Sequence, residues 1–247
     1  MRFDEEGAAI LKKQEYPAEL LESINALSRL VTAKETVEST VGRIAELSVL
    51  AIDAADACGI SLVTGKRIHT VAVTSDIGNT IDALQIETGE GPCMSSIKEQ
   101  ATFYIPDMSQ DETWPVFSSL AAQATGISSL LGYVLQVGEG ALGAMNVMSF
   151  QVDAFDAEAI AAGALFAAQA GVALSNALTH RQSEEKVEQL EEGIRTRQVI
   201  GEAVGIVMAT RQVNADEAFE ILKTISQHTN VKLKEVAAGL VERVDEL

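Results

Sequence analysis

The sequence predicts an α+β protein: an antiparallel sheet sandwiched by helices, then a long connecting helix, then a three-helix bundle at the carboxyl end. Three observations carry that prediction. Residues 59–73 and 128–149 each hold two apolar, β-branched runs folded back on a Gly-containing turn, the pattern of a hairpin. Asp156 is a cap residue that opens an Ala-rich stretch with one charge, Glu158, before Thr179. Beyond residue 190, three apolar stripes recur at helical spacing.

Taken in order, residues 1–15 mix charge and small residues without period and read as a flexible tail. From Tyr16-Pro17 one stripe runs through Leu20, Leu21, Ile24, Leu27 and Leu30-Val31. A second helix, from about Thr36 to Ala57, turns Val37, Val41, Ile44, Leu47, Ile52 and Ala55 inward. The first hairpin follows, turning at Thr64-Gly65-Lys66, and Phe103-Tyr104-Ile105-Pro106 reads as a further strand. Short helices are expected at Cys93–Glu99 and Pro115–Ala124, and the second hairpin turns at Val137-Gly138-Glu139-Gly140. The Ala-rich helix is expected to be buried on both sides, against its own sheet and a partner helix. Ala161, Ala164, Ala168 and Gly171 would allow that close approach. A membrane span is the alternative, but Gln169, Ser175 and Asn176 suit it poorly. Past His180, Val187, Leu190 and Ile194 form a short a/d seam among glutamates, which points to a parallel dimer contact. The divisions are therefore 1–15, a first domain at 16–178, a helical coiled-coil linker at 179–192, and a bundle at 193–247.

In the last stretch, Ile200, Ala203, Val204 and Val207 form the first stripe. Asn214 caps the second helix with Glu217 in capping-box spacing, and Ala215, Ala218, Phe219, Leu222 and Ile225 repeat the stripe. Leu233, Val236, Ala237, Leu240, Val241 and Val244 share a face of the third.

The net charge of −18 opposes nucleic-acid binding by the chain in bulk. The charge is uneven, however. From Gly193 to Arg243 there are six acids, Glu202, Asp216, Glu217, Glu220, Glu235 and Glu242. Seven bases face them: Arg195, Arg197, Arg211, Lys223, Lys232, Lys234 and Arg243. Whole-chain charge therefore does not exclude a local RNA surface. Cys58 and Cys93 are too few and too far apart for a disulfide framework or zinc site, and the start shows no signal sequence, so a cytoplasmic location is expected.

No catalytic constellation emerges, so no enzyme activity, metal or cofactor is expected. Cys93 follows a Gly-rich turn, where a helix start would favour a thiolate. With no His close in sequence, it reads better as a small buried residue than as a nucleophile, redox sensor or attachment point. Cys58 reads the same way. His69, His180 and His228 have no metal-ligand spacing, and His69 is expected in solvent. Val71, Val73, Leu84, Tyr104 and Met145 are the candidate lining of a small-molecule pocket in the first domain, or equally a filled core.

Two resemblances complete the reading. Leu190, Arg197, Ile200, Ala203-x-Gly205-Ile206-x-Met208, Asp216-Glu217-Ala218-Phe219, Leu222, Ser226-Gln227-x-Thr229-Asn230, Lys232-Leu233 and Val236-Ala237 resemble the ANTAR domain, an RNA-binding module of bacterial antitermination regulators. Val204 stands where that family usually has a basic residue, and Gly193 where it usually has Ala. Roughly residues 20–178 resemble a GAF sensory domain, through Gly89-Glu90-Gly91-Pro92, Ile105-Pro106-Asp107, Trp114, and Leu142-Gly143-Ala144-Met145-Asn146-Val147 before Phe155.

The pairing implies a cytoplasmic, homodimeric regulator that binds paired stem-loops in nascent mRNA and promotes antitermination, with an unknown small-molecule or protein signal at the GAF domain. The dimer would form through the Ala-rich helix and linker. Ser226-Gln227-His228-Thr229-Asn230 with Lys232 and Lys234 is a helix connection, and also a donor-rich turn suited to reading exposed loop bases. Arg197 and Arg211 are the candidates for phosphate contacts, and the match adds Ala203 and Gly205. The alternative is a small-molecule sensor whose helical tail serves only dimerisation or DNA binding. A DNA reader should offer a basic recognition helix, whereas the third helix has Lys232 and Lys234 only at its start.

Overall fold

The computed structural model describes residues 16–32, 35–65, 67–138 and 140–245, so the expected tail at 1–15 lies outside it. Its contacts divide the chain into two compact units, 1–181 and 182–247.

The first unit opens with α1 (Ala18–Thr32) and α2 (Val37–Ala51). Leu20, Ser23 and Leu27 of α1 are buried, while Leu21, expected inward, is exposed because it lies about 100° around the helix from Leu20. Thr36 caps α2 by accepting from Ser39 N. The helix ends six residues before the expected Ala57. Ile52 turns extended and Ala54 takes φ 59°, while Asp56 is already bonded to the sheet. Its N–H donates to Met148 O, and its Oδ2 accepts from Ser149 Oγ and Phe150 N. Those partners lie over ninety residues away, so local periodicity does not reveal them.

Strands β1 (Ala57–Thr64) and β2 (Arg67–Val73) form the first hairpin, β3 (Phe103–Ile105) is short, and β4 (Ser129–Val137) and β5 (Gly140–Ser149) form the second. The antiparallel order is β2-β1-β5-β4-β3. Helices α3 (Asp76–Thr88), α4 (Pro92–Glu99) and α5 (Pro115–Thr125) lie between strands. The sequence pattern does not reveal α3, because its buried positions are Gly78, Ile81, Asp82 and Gln85, of which only one is apolar.

The sheet is covered on both faces. Cys58, Ile60, Leu62, Leu131, Tyr133, Leu135, Met145 and Val147 pack with α1, α2 and the start of α6 (Ala157–Arg211). Ala57, Leu130 and Met148 pack on the other side with Ile81, Phe117 and Ala121. Asp156 caps α6, its Oδ1 accepting from Ala159 N. The helix lies so close to β4 that a Cβ at Gly171 would fall 2.6 Å from Gln136 O. Gly171 thus faces its own sheet, not a partner helix, whereas Ala161, Ala164, Ala168 and Val172 are exposed. One window of α6 has a mean hydropathy of 1.5, apolar enough to cross a membrane, but half of that window is buried inside the fold. Its apolarity is accounted for as a core helix.

The second unit contains the remainder of α6, α7 (Ala215–Thr229) and α8 (Leu233–Asp245). Ala203, Val207, Ala218, Leu222 and Ala237 form its core, with Val199, Ile200, Leu233, Val236 and Leu240 packed around them. The capping box is complete: Glu217 N donates to Asn214 Oδ1 and Asn214 N to Glu217 Oε2.

Candidate nucleic-acid interface

The turn between α7 and α8 closes on its own polar groups. Asn230 adopts the left-handed conformation, φ 54°, and its N–H donates to Ser226 O. Ser226 Oγ donates to Val231 O at 2.6 Å and Thr229 Oγ1 to Ile225 O at 2.7 Å. These hydroxyls keep acceptor capacity but spend their protons on the turn. Gln227 projects into solvent, as do Lys232 and Lys234.

Lys234 Nζ lies 2.8 Å from Glu192 Oε1, across from α8 to α6. That hydrogen bond holds the Glu192 carboxyl below its ordinary range and pushes the Lys234 ammonium above its own. Together with Arg195, Thr196, Val199, Glu235 and Ala238 the pair borders a shallow recess of about 220 Å³. Arg195 is itself 3.5 Å from Glu191.

In the first unit, Asp82 is a buried carboxylate between α3 and the sheet. It accepts from Ser61 Oγ and Thr70 Oγ1 at Oδ2, and from Asn146 Nδ2 at Oδ1. Burial pushes its carboxyl above the ordinary value, against the pull of those three bonds. Cys93 is buried beside this group and its N–H donates to Gln85 Oε1 at 2.8 Å. Burial raises both the Cys93 and Cys58 thiols to about 12, which outweighs whatever the start of α4 offers a thiolate. Among the described residues no group of three or more His, Cys, Asp or Glu could hold a metal ion.

The GAF domain model matches residues 34–175, more than half of the chain, and the ANTAR domain model matches residues 188–241. The chain belongs to the GAF domain family and carries an ANTAR domain at its carboxyl end. No curated protein matches the sequence significantly. Among solved structures, the GAF domain of an Acinetobacter phosphoenolpyruvate-protein phosphotransferase is 15% identical with a TM-score of 0.50, covering 66% of this chain and 96% of its own. The corresponding Coxiella burnetii domain is 15% identical with a TM-score of 0.50, covering 65% and 95%. Free methionine-R-sulfoxide reductase from Neisseria meningitidis is 13% identical with a TM-score of 0.51, covering 69% and 96%. At such identity these likenesses establish the fold alone.

An ANTAR domain is an RNA-binding module of antitermination regulators, and a GAF domain is a sensory module. Within the ANTAR domain the expected contact residues do not form one cluster. Ala203 is fully buried in the bundle core, so its place in the motif is a packing place and not an exposed one. Gly205 is exposed, with open space where a Cβ would stand. Arg211 ends α6 roughly 28 Å along the helix axis from Glu192, at about 1.5 Å per residue. It lies away from the end that holds Lys234. Arg197 is exposed but does not line the Lys234 recess; Arg195 and Thr196 do. The sequence signal for Arg195 is its position, three and four residues after Glu192 and Glu191 on one helix. Val204, where the family usually has a base, packs against the bundle core.

The GAF pocket candidates are split. Val71 and Tyr104 pack with Met145 in the core under α1, α2 and α6. Leu84 belongs to the opposite cluster, and Val73 lies against Gly78 of α3. Five residues on two faces of a sheet line no common space. His69 is exposed, as expected.

Proposed function

We propose that this GAF–ANTAR chain is a cytoplasmic, homodimeric, non-enzymatic regulator that promotes antitermination by holding paired stem-loops of a nascent transcript. The observation that carries the reading is the ANTAR match over 188–241, most of which, from Gly193 on, lies in a stretch to Arg243 whose seven bases slightly outnumber its six acids. Gln227, Lys232 and Lys234 are exposed around the α7–α8 turn, with Ser226, Thr229 and Asn230 shaping it, while the exposed Arg197, Gly205 and Arg211 lie along α6 as separate candidate contacts.

Two-point attachment explains how a module with few phosphate contacts achieves useful affinity, since a second loop binds at the effective concentration set by the first. It requires a dimer. Leu190 and Ile194 are 68% and 63% exposed, and Val187 also projects into solvent, more apolar surface than a solvated helix face explains. On the first unit Ala161, Ala164, Ala168 and Val172 offer a second exposed line. In this reading 16–178 senses, 179–192 links and dimerises, and 193–247 binds RNA.

Single-round transcription through a terminator preceded by two hairpins tests it. Readthrough should rise with protein concentration and need both hairpins. Unchanged readthrough, with binding to duplex DNA instead, would favour a sensor whose tail serves dimerisation or DNA binding.

A further inference from the structure

We propose that the recess between α6 and α8 is a seat for an RNA backbone phosphate, and that the Glu192 carboxylate occupies it until RNA arrives. This rests on the RNA-binding function proposed above and specifies how one of its contacts is made. The Lys234–Glu192 pair joins residues 42 apart in sequence, unlike Lys223–Glu220 and Arg195–Glu191, which lie within single helices. It is a tertiary contact that the bundle builds. The carboxylate stands where a phosphate oxygen would stand, 2.8 Å from Lys234 Nζ, with Arg195 and Thr196 on the same rim. Arg195 adds to the field that favours the anion.

The pair is exchangeable. Its side chains are 45% and 58% exposed, and exposed ion pairs are weak. A phosphate entering the seat releases condensed counterions and adds to contacts made elsewhere, which a lone carboxylate does not. Access is open as well. Glu192 is on the α6 face that continues through Thr196, Val199 and Ala203 into the bundle, whereas Leu190 and Ile194 lie roughly 200° away around the helix. A dimer seam through those residues leaves the seat uncovered.

Glu192 therefore sets specificity. With Glu235 also on the rim, the unoccupied seat carries little net positive charge and attracts polyanions poorly. Only an RNA that makes the other contacts displaces the carboxylate.

The test compares full-length wild type with Glu192→Gln, Lys234→Met, the double variant, and Glu202→Gln. Glu202 is an exposed acid on the same helix, bonded to Gln198, and its substitution controls for bulk charge. Affinity for a pool of two-hairpin RNAs with randomised loops is measured across salt. Glu192→Gln should bind about 3- to 5-fold more tightly, and Lys234→Met, which loses the phosphate contact, should flatten log K against log salt by about 0.7. Glu202→Gln should do neither, and the double variant should fall back to Lys234→Met. If Glu192→Gln behaves as Glu202→Gln does, or its gain survives Lys234→Met, the seat is overturned while RNA binding stands. If wild type and every variant bind no RNA, both the seat and the proposed function are overturned.

Discussion

Asn146 Nδ2 donates to Asp82 Oδ1 at 2.9 Å, joining β5 to α3 through the interior of the GAF domain. Ser61 and Thr70 donate to the other oxygen of the same carboxyl. Asp82→Ala leaves these three donors without that acceptor, and a cost of about 3 kcal/mol is expected. Chemical denaturation of the two proteins, with matched m-values, measures it.

The same carboxyl gives the GAF domain a pH dependence of definite sign. Its folded-state pKa lies above the ordinary 3.8, so the fold favours the neutral acid. That contribution is complete below the unfolded value and is lost as pH rises through the folded one. Thermal midpoints should fall as pH rises above the ordinary carboxylate value, and Asp82→Asn should flatten this slope. An unchanged slope in the variant would remove Asp82 as its cause.

Two glycines of α6 should respond oppositely to alanine. At Gly171 the methyl meets the Gln136 carbonyl, so a loss of about 1–3 kcal/mol is expected. At Gly193 nothing lies within 4 Å, so the helix should gain up to about 1 kcal/mol. Calorimetry of each variant distinguishes the signs.

Cys58 and Cys93 should resist maleimide in the native protein at neutral pH and react once the chain is unfolded, because burial holds both thiols at about 12. Rapid native labelling of Cys93 would reinstate it as a reactive thiol.

What the sequence revealed follows from which forces act locally. The hairpins and the α7 cap were legible because turn residues and capping spacing are short-range signals. Helix α3 was not, since it buries Asp82 and Gln85 for the sake of partners on other elements. The end of α2 is hidden from the sequence pattern for the same reason, as Asp56 is held by β5. In the ANTAR domain the motif located the module but not the role of each position. Ala203 is required by packing, while Arg195 borders the Lys234 recess although Arg197 carries the family pattern.

Leu190→Asp with Ile194→Asp should convert the protein to a monomer in sedimentation, because both side chains are exposed on a helix that also presents Val187. Affinity for two-hairpin RNA should then fall to that for one hairpin, with helix content unchanged. A wild type already monomeric at micromolar concentration would contradict the proposed seam.

The most direct measurement compares, by anisotropy at several salt concentrations, the affinity of the full-length protein for a two-hairpin RNA, each hairpin alone, and duplex DNA of equal length. The two-hairpin RNA should bind at least tenfold more tightly than either hairpin, and the DNA should bind weakly and lose affinity with salt. Equal affinity for all three would contradict the account.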